Sequence, residues 1–131
     1  MASLFIGTFY IHQSRATPVN IKCFAEDRRA PLVLQAADDV EARLWITAGA
    51  AAALVVTESA NVNGSVISRV TNGVPSTTPA QVIVNLAADD VALLSADTEY
   101  NFELSVKDDS DGGAHKVICR GTAIVEGSPS T

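Results

Sequence analysis

Apolar positions in this chain recur with a period of two over short runs, rather than at the 3.6-residue spacing of a helix. The runs are Leu4 to Ile11, Val19 to Phe24, Pro31 to Leu34, Val40 to Thr47, Ala53 to Thr57, Ser65 to Val70, Gln81 to Leu86, Glu99 to Val106 and Lys116 to Val125. In "QVIVNL", Val82, Val84 and Leu86 share one face. In "YNFELSV", Tyr100, Phe102, Leu104 and Val106 do the same, which turns Asn101, Glu103 and Ser105 to solvent. Strands with one wet and one dry face alternate in this way. Seven to nine of them in one chain predict an all-β fold, an antiparallel sandwich of two sheets with at most one short helical turn.

The connections carry their own signals. Asn63-Gly64 lies between two strand-like runs and is the preferred pair for a tight type I′ hairpin. Asp111-Gly112-Gly113 closes a turn between the last two strands, and "TNGVPSTTPA" reads as a longer irregular connection. The segment "AADDV" occurs twice, at Ala36 to Val40 and Ala87 to Val91. Each copy follows a strand-like run and places Asp-Asp at the first turn of a short helix, where carboxylates meet free backbone N–H groups. The flanks differ, "PLVLQ" and "EARLWI" against "VIVNL" and "ALLSADTEY": the first copy leads directly to Trp45 while the second continues as "DDVALLS", a single helical turn, so the repeat reads as local convergence and not as a duplicated unit.

Composition narrows the class. The 131 residues form one domain, with 1–14 as a first strand or an N-terminal arm and 127–131 as a flexible tail. Hydrophobic residues make up 47% of the chain but aromatics only 5%, so the core is built mainly from small side chains. A formal net charge of −6 leaves no basic stripe to displace counterions from a phosphate backbone, which excludes nucleic acid as the expected partner. The longest apolar run, Ala48 to Val56, falls well short of the ~20 residues that a membrane-spanning helix needs. The opening "MASLFIGTFYIHQSR" lacks a basic segment followed by a long apolar core, so the protein is expected to stay in the cytoplasm where it is made.

Candidate chemistry is sparse. No nucleophile elbow, metalloprotease helix, phosphate-cradling glycine loop or zinc-spaced Cys and His set occurs, so no catalytic residue and no cofactor is expected. His12 and His115 read as strand side chains. Asp108, Asp109 and Asp111 offer hard oxygen ligands for calcium, but their Asp-Gly context reads as a solvated turn and no metal is assigned. Asn63-Gly64-Ser65 matches a glycosylation acceptor, and the turn reading takes precedence over it. Cys23 and Cys119 read as two buried thiols acting as small hydrophobes, with a disulfide as the alternative.

The most specific stretch is "LLSADTEYNFELSV". Leu94, Thr98 and Tyr100 have the spacing of the tyrosine corner of fibronectin type III and related immunoglobulin-like sandwiches, with Ala96 in place of the Pro common in the fibronectin version. The pin cysteine of antibody domains belongs two residues after that Tyr, where Phe102 stands instead. The second half, "AQVIVNLAADDVALLSADTEYNFELSVKDDSDGGAHKVICRGTAIVEGSPS", resembles the immunoglobulin-like domains of tailed-phage virion proteins, notably the N-terminal domain of phage baseplate upper proteins. The matching places are Asp90, Leu93, Tyr100, Phe102, Leu104, Val106, Asp111, Gly112, Gly121 and Val125, while Ala87 replaces the usual capping Thr.

That resemblance implies an immunoglobulin-like β-sandwich in a non-catalytic bacteriophage structural protein. Such a protein assembles in the host bacterial cytoplasm into the virion, in multiple copies against capsid, neck or baseplate subunits. A capsid decoration or cement protein, or a neck or baseplate adaptor, fits the short chain better than a fibre. Two segments are candidate contacts. Leu4, Phe5, Ile6, Phe9 and Tyr10 put large apolar groups on both faces of the first run, as a strand or as an arm added to a neighbour's sheet. Val74, Pro75 and Pro79 lie in the proline-pinned loop. The alternative is a bacterial cell-surface adhesion or carbohydrate-binding module of the fibronectin type. It requires export and an aromatic platform, which one Trp and two Tyr supply poorly.

Overall fold

A computed structural model describes residues 4–13, 15–23, 31–46, 52–107 and 115–127. Among these are eight strands and one short helix: β1 (Leu4–His12), β2 (Thr17–Cys23), β3 (Asp39–Trp45), β4 (Leu54–Thr57), β5 (Val66–Thr71), β6 (Ala80–Leu86), α1 (Ala88–Leu93), β7 (Thr98–Lys107) and β8 (His115–Glu126). Five strands form one sheet in the order β1-β8-β7-β3-β4, and three form the other in the order β2-β6-β5. Buried side chains from both sheets form one cluster, so the chain is an all-β sandwich. The turn with Asp108, Asp109 and Asp111, and the tail beyond Gly127, lie outside the described residues.

The alternation predicted for β6 and β7 sets the core. Val82, Val84 and Leu86 are buried on β6, and Tyr100, Phe102 and Leu104 on β7. Ser105 departs from expectation: it shares the outer face with Glu103 and Asn101, yet it is buried, next to a register shift where β8 carries Ile118 as an extra residue. On β8 the positions opposite Phe102 and Tyr100 are small. Gly121 and Ala123 leave room for Phe9 of β1 to reach Phe102 of β7 over the intervening strand, the rings meeting edge to face at 5.2 Å and 85°.

Among the described strands, pairing is antiparallel except in one place. β1 runs parallel to β8, because β1 hands over to β2 in the opposite sheet instead of folding back on its neighbour. Gly7 makes this pairing work. It takes φ +93° at the register shift between Phe5 and Thr8, and its carbonyl comes so close to Gly121 that a Cβ there would sit 2.9 Å away.

Three sequence expectations change. Pro31 to Leu34 does not form a regular strand. Leu32 gives its N–H to the Cys23 carbonyl (2.9 Å) and takes the Ala80 N–H (2.7 Å), and the Leu34 N–H goes to the Asn72 carbonyl, so the segment closes the end of the three-stranded sheet. Asn63-Gly64 does not close a hairpin, since β4 pairs with β3 and β5 with β6, and the chain changes sheets at this turn. The two "AADDV" copies take different structures: the first is a turn that enters β3, whereas the second is α1.

Candidate interaction surface

The second Asp-Asp pair shows how the sheet-changing turn is fixed. Asp90 is 4% exposed, and its carboxylate accepts hydrogen bonds from Asn61 Nδ2 (2.7 Å), Asn63 Nδ2 (2.7 Å) and the Ser65 hydroxyl. The Asn61 side-chain oxygen in turn accepts the N–H groups of Asn63 and Ser65. Ser65 Oγ accepts the Ala87 N–H at 2.8 Å, so a hydroxyl from the turn meets the backbone where α1 begins, and Ala87 itself supplies no side-chain cap. Burial alone would raise the Asp90 pKa, but the bonds from Asn63, Ser65 and Asn61 outweigh it and hold the carboxyl below its usual value.

The first copy is tied down by a cation. Arg69 on β5 bonds through its guanidinium to the Glu58 carboxylate, the Asp38 carbonyl, the Gln35 carbonyl (2.8 Å) and Asn72 Oδ1 (3.1 Å). The Glu58 bond is the main cause of a raised Arg69 pKa, against the opposing effect of burial. Asp38 closes its own turn by accepting the Gln35 N–H at 2.8 Å. Both copies therefore lock loops onto the sandwich, one through a carboxylate and the other mainly through backbone carbonyls.

At the predicted corner, Tyr100 is buried and its hydroxyl oxygen accepts the Ser95 N–H at 2.9 Å. Leu94 is buried beneath the turn, and the Thr98 hydroxyl donates to the Ala96 carbonyl at 3.1 Å. Asp97 holds φ 54° in the same turn, a left-handed conformation that Asp tolerates better than most residues. These bonds fix the passage from α1 into β7.

The expected contact residues separate into core and surface. Ile6 and Phe9 pack against the core, and β1 is a strand of the protein's own sheet, while Tyr10 on the outer face is 55% exposed. Leu4 and Phe5 pair in register with Cys119 and Arg120, but their side chains lie outside the described set. The loop after β5 is more ordered than its composition suggests. Val74 and Thr78 form a bridge, with the Val74 N–H on the Thr78 carbonyl at 2.8 Å, and Ser76 takes φ 64° at the apex. Val74 and Pro75 are exposed on this tip, and Pro79 is half-buried at its base.

Among the described residues, Ile46, Val55, Val62, Val70 and Leu93 are exposed apolar residues that sequence reasoning did not single out as contacts, and Val62 and Leu93 are the most exposed of them. Val62 is fully exposed in the turn that Asn61 and Asn63 fasten to α1, and Leu93 on α1 is 78% exposed. A Val flanked by two Asn in a turn was the available signal. Because β5 runs from this turn to the Val74 tip, apolar groups emerge at opposite ends of the three-stranded sheet.

Cys23 and Cys119 are both free and fully buried, one on each sheet. Among the described residues, no group of three or more His, Cys, Asp and Glu side chains is arranged to hold a metal ion. No helix in the described residues is long and apolar enough to cross a membrane. Comparison with known protein families and with curated proteins finds no match.

Proposed function

We propose that the chain is a non-catalytic structural protein of a tailed-phage virion, acting through protein–protein contacts as a capsid decoration or cement protein or as a neck or baseplate adaptor. The strand order carries this reading. Sheet β2-β6-β5 facing β8-β7-β3-β4, with Tyr100 near the start of β7, is the arrangement expected of an immunoglobulin-like sandwich, the domain type that the sequence resembles. The shifted titrating groups Asp90 and Arg69 add support, because both are saturated by bonds that hold loops in place. Val62 and Leu93 at one end and Val74 at the other offer apolar contacts to neighbouring proteins. Many weak contacts of this kind sum through multivalency when the subunit is present in many copies.

Mass spectrometry and electron cryomicroscopy of purified particles from the encoding phage test the proposal. The expected result is the polypeptide in multiple copies, with sandwich-shaped density on the capsid, neck or baseplate. Particles that lack it refute the reading.

A further inference from the structure

The sequence holds two Asn-Gly pairs, Asn63-Gly64 and Asn72-Gly73, whose chemistry the proposed function does not use. Glycine has no Cβ to shield its backbone nitrogen, so in such a pair that nitrogen can attack the preceding side-chain amide. The fold restrains both reactants at the first pair. Asn63 Nδ2, the nitrogen that would leave, donates to Asp90 Oδ1 at 2.7 Å, and the Gly64 N–H, the nucleophile, donates to the Asn61 carbonyl at 3.0 Å. The Asn63 N–H is held by Asn61 Oδ1 at 3.1 Å. Ring closure therefore requires the turn to open. At the second pair Asn72 is exposed, its Oδ1 accepts from the Arg69 guanidinium at 3.1 Å, and the Gly73 N–H goes to Thr71 Oγ1 at 3.1 Å.

We propose that Asn63 is a deamidation site, closed while the turn is docked on Asp90 and irreversibly altered once the turn has opened and reacted. The Gly64 nitrogen loses its proton and attacks Asn63 Cγ, the new N–C bond forms, the Cγ–Nδ2 bond breaks, and Nδ2 takes up a proton and leaves as ammonia. Water then opens the succinimide ring at either carbonyl to give aspartate or isoaspartate. One water is consumed and one ammonia released, with no oxidant or reductant. Opening of the turn limits the rate, because only the open fraction can react.

The product cannot dock as the amide did. A carboxylate at position 63 meets the Asp90 carboxylate, which is 4% exposed and ionised at neutral pH, and the donor that Asp90 had there is gone. Isoaspartate also adds a methylene to the backbone of the turn. At position 72 the same change has the opposite sign, since the new carboxylate meets the guanidinium of Arg69. Deamidation at Asn63 thus undoes the fastening of the sheet-changing turn, and at Asn72 it does not. This inference does not rest on the virion reading.

Peptide mapping by mass spectrometry after incubation at mildly alkaline pH tests the proposal, with the folded protein and the guanidinium-unfolded chain side by side. Asn63 is expected to deamidate more slowly in the folded protein by roughly tenfold or more, with isoaspartate among the products in both. Melts at neutral pH test the consequence. Asn63→Asp should lower the Tm by roughly 5–10 °C, and Asn63→Ala, which loses the bond without adding a charge, by less, whereas Asn72→Asp should leave it unchanged or raise it. An Asn63→Asp chain that fails to fold where Asn63→Ala folds agrees with this expectation. Equal rates at Asn63 in the folded and unfolded chains, products without isoaspartate, or an Asn63→Asp protein as stable as Asn63→Ala overturns the proposal.

Discussion

Asp90 lies 27 residues beyond Asn63, and its carboxylate takes the Asn63 side-chain amide at 2.7 Å. Asn61 and the Ser65 hydroxyl converge on the same carboxylate, so one acid on α1 determines the course of the turn that carries the chain between sheets. Replacement by Asn keeps the shape but removes an acceptor oxygen and sets amide against amide. Asp90→Asn is expected to cost about 2–3 kcal/mol at neutral pH, measured by urea denaturation.

The same carboxylate gives the fold an acid-sensitive element. Its folded-state pKa lies below the unfolded value of about 3.9, so its contribution is complete above that pH and is lost as pH falls through the folded pKa. Stability of the natural protein should therefore decline below about pH 4, and the Asp90→Asn variant should show a shallower decline. Parallel acid profiles of the two proteins, with equal slopes, would remove Asp90 from this role.

Tyr100 provides a second point of control. Its hydroxyl is the acceptor for the Ser95 N–H, and the ring lies in the core, so Tyr100→Phe keeps the packing and loses only the bond. The expected cost is about 1 kcal/mol. Hydrogen exchange should locate the change, with the Ser95 amide losing protection while the amides of β6 keep theirs.

Two glycines separate backbone strain from steric clash. Gly64 and Gly73 both have positive φ, 96° and 89°, but a Cβ on Gly64 meets nothing within 4 Å, whereas on Gly73 it would lie 2.7 Å from the Ala80 nitrogen and 2.8 Å from the Thr78 carbonyl. Gly64→Ala is expected to cost about 1 kcal/mol from the left-handed backbone alone. Gly73→Ala adds a clash with backbone that cannot rotate away, for a loss of about 2–3 kcal/mol and disturbance of the Val74 tip. Thermal melts of the two variants side by side test the difference.

The parts of the fold that were readable in the sequence are those set by neighbours along one strand. Val82, Val84 and Leu86 announce a buried face by alternation alone, and the corner spacing of Leu94, Thr98 and Tyr100 is likewise local. What could not be read depends on distant partners. Asn63-Gly64 has the same chemistry whether the next strand pairs with the last or crosses to the other sheet, and the choice follows from Asp90, far along the chain. The two "AADDV" segments make the same point. Arg69 draws the Asp38 carbonyl into a turn, while the Asn61 to Ser65 turn grips Asp90 on a helix, so identical residues take different backbones. In β1, the apolar residues Ile6 and Phe9 fit either a strand of the sandwich or an added arm when read from the sequence, because their partners Gly121 and Phe102 lie far along the chain.

The proposed contacts can be tested without damaging the sandwich. Leu93 and Val74 are 78% and 53% exposed, so Leu93→Glu and Val74→Glu remove little packing and should change stability by no more than about 0.5 kcal/mol each. In the virion reading they face neighbouring subunits, where a carboxylate without a partner is costly to desolvate. Particles assembled with the double variant should retain it at a several-fold lower copy number, quantified by mass spectrometry after purification. Tyr10→Glu, on the outer face of the five-stranded sheet, tests a different surface in the same assay. If the double variant stays at full occupancy, the two ends of the three-stranded sheet are not the contact. A loss confined to Tyr10→Glu would move the interface to the β1 face.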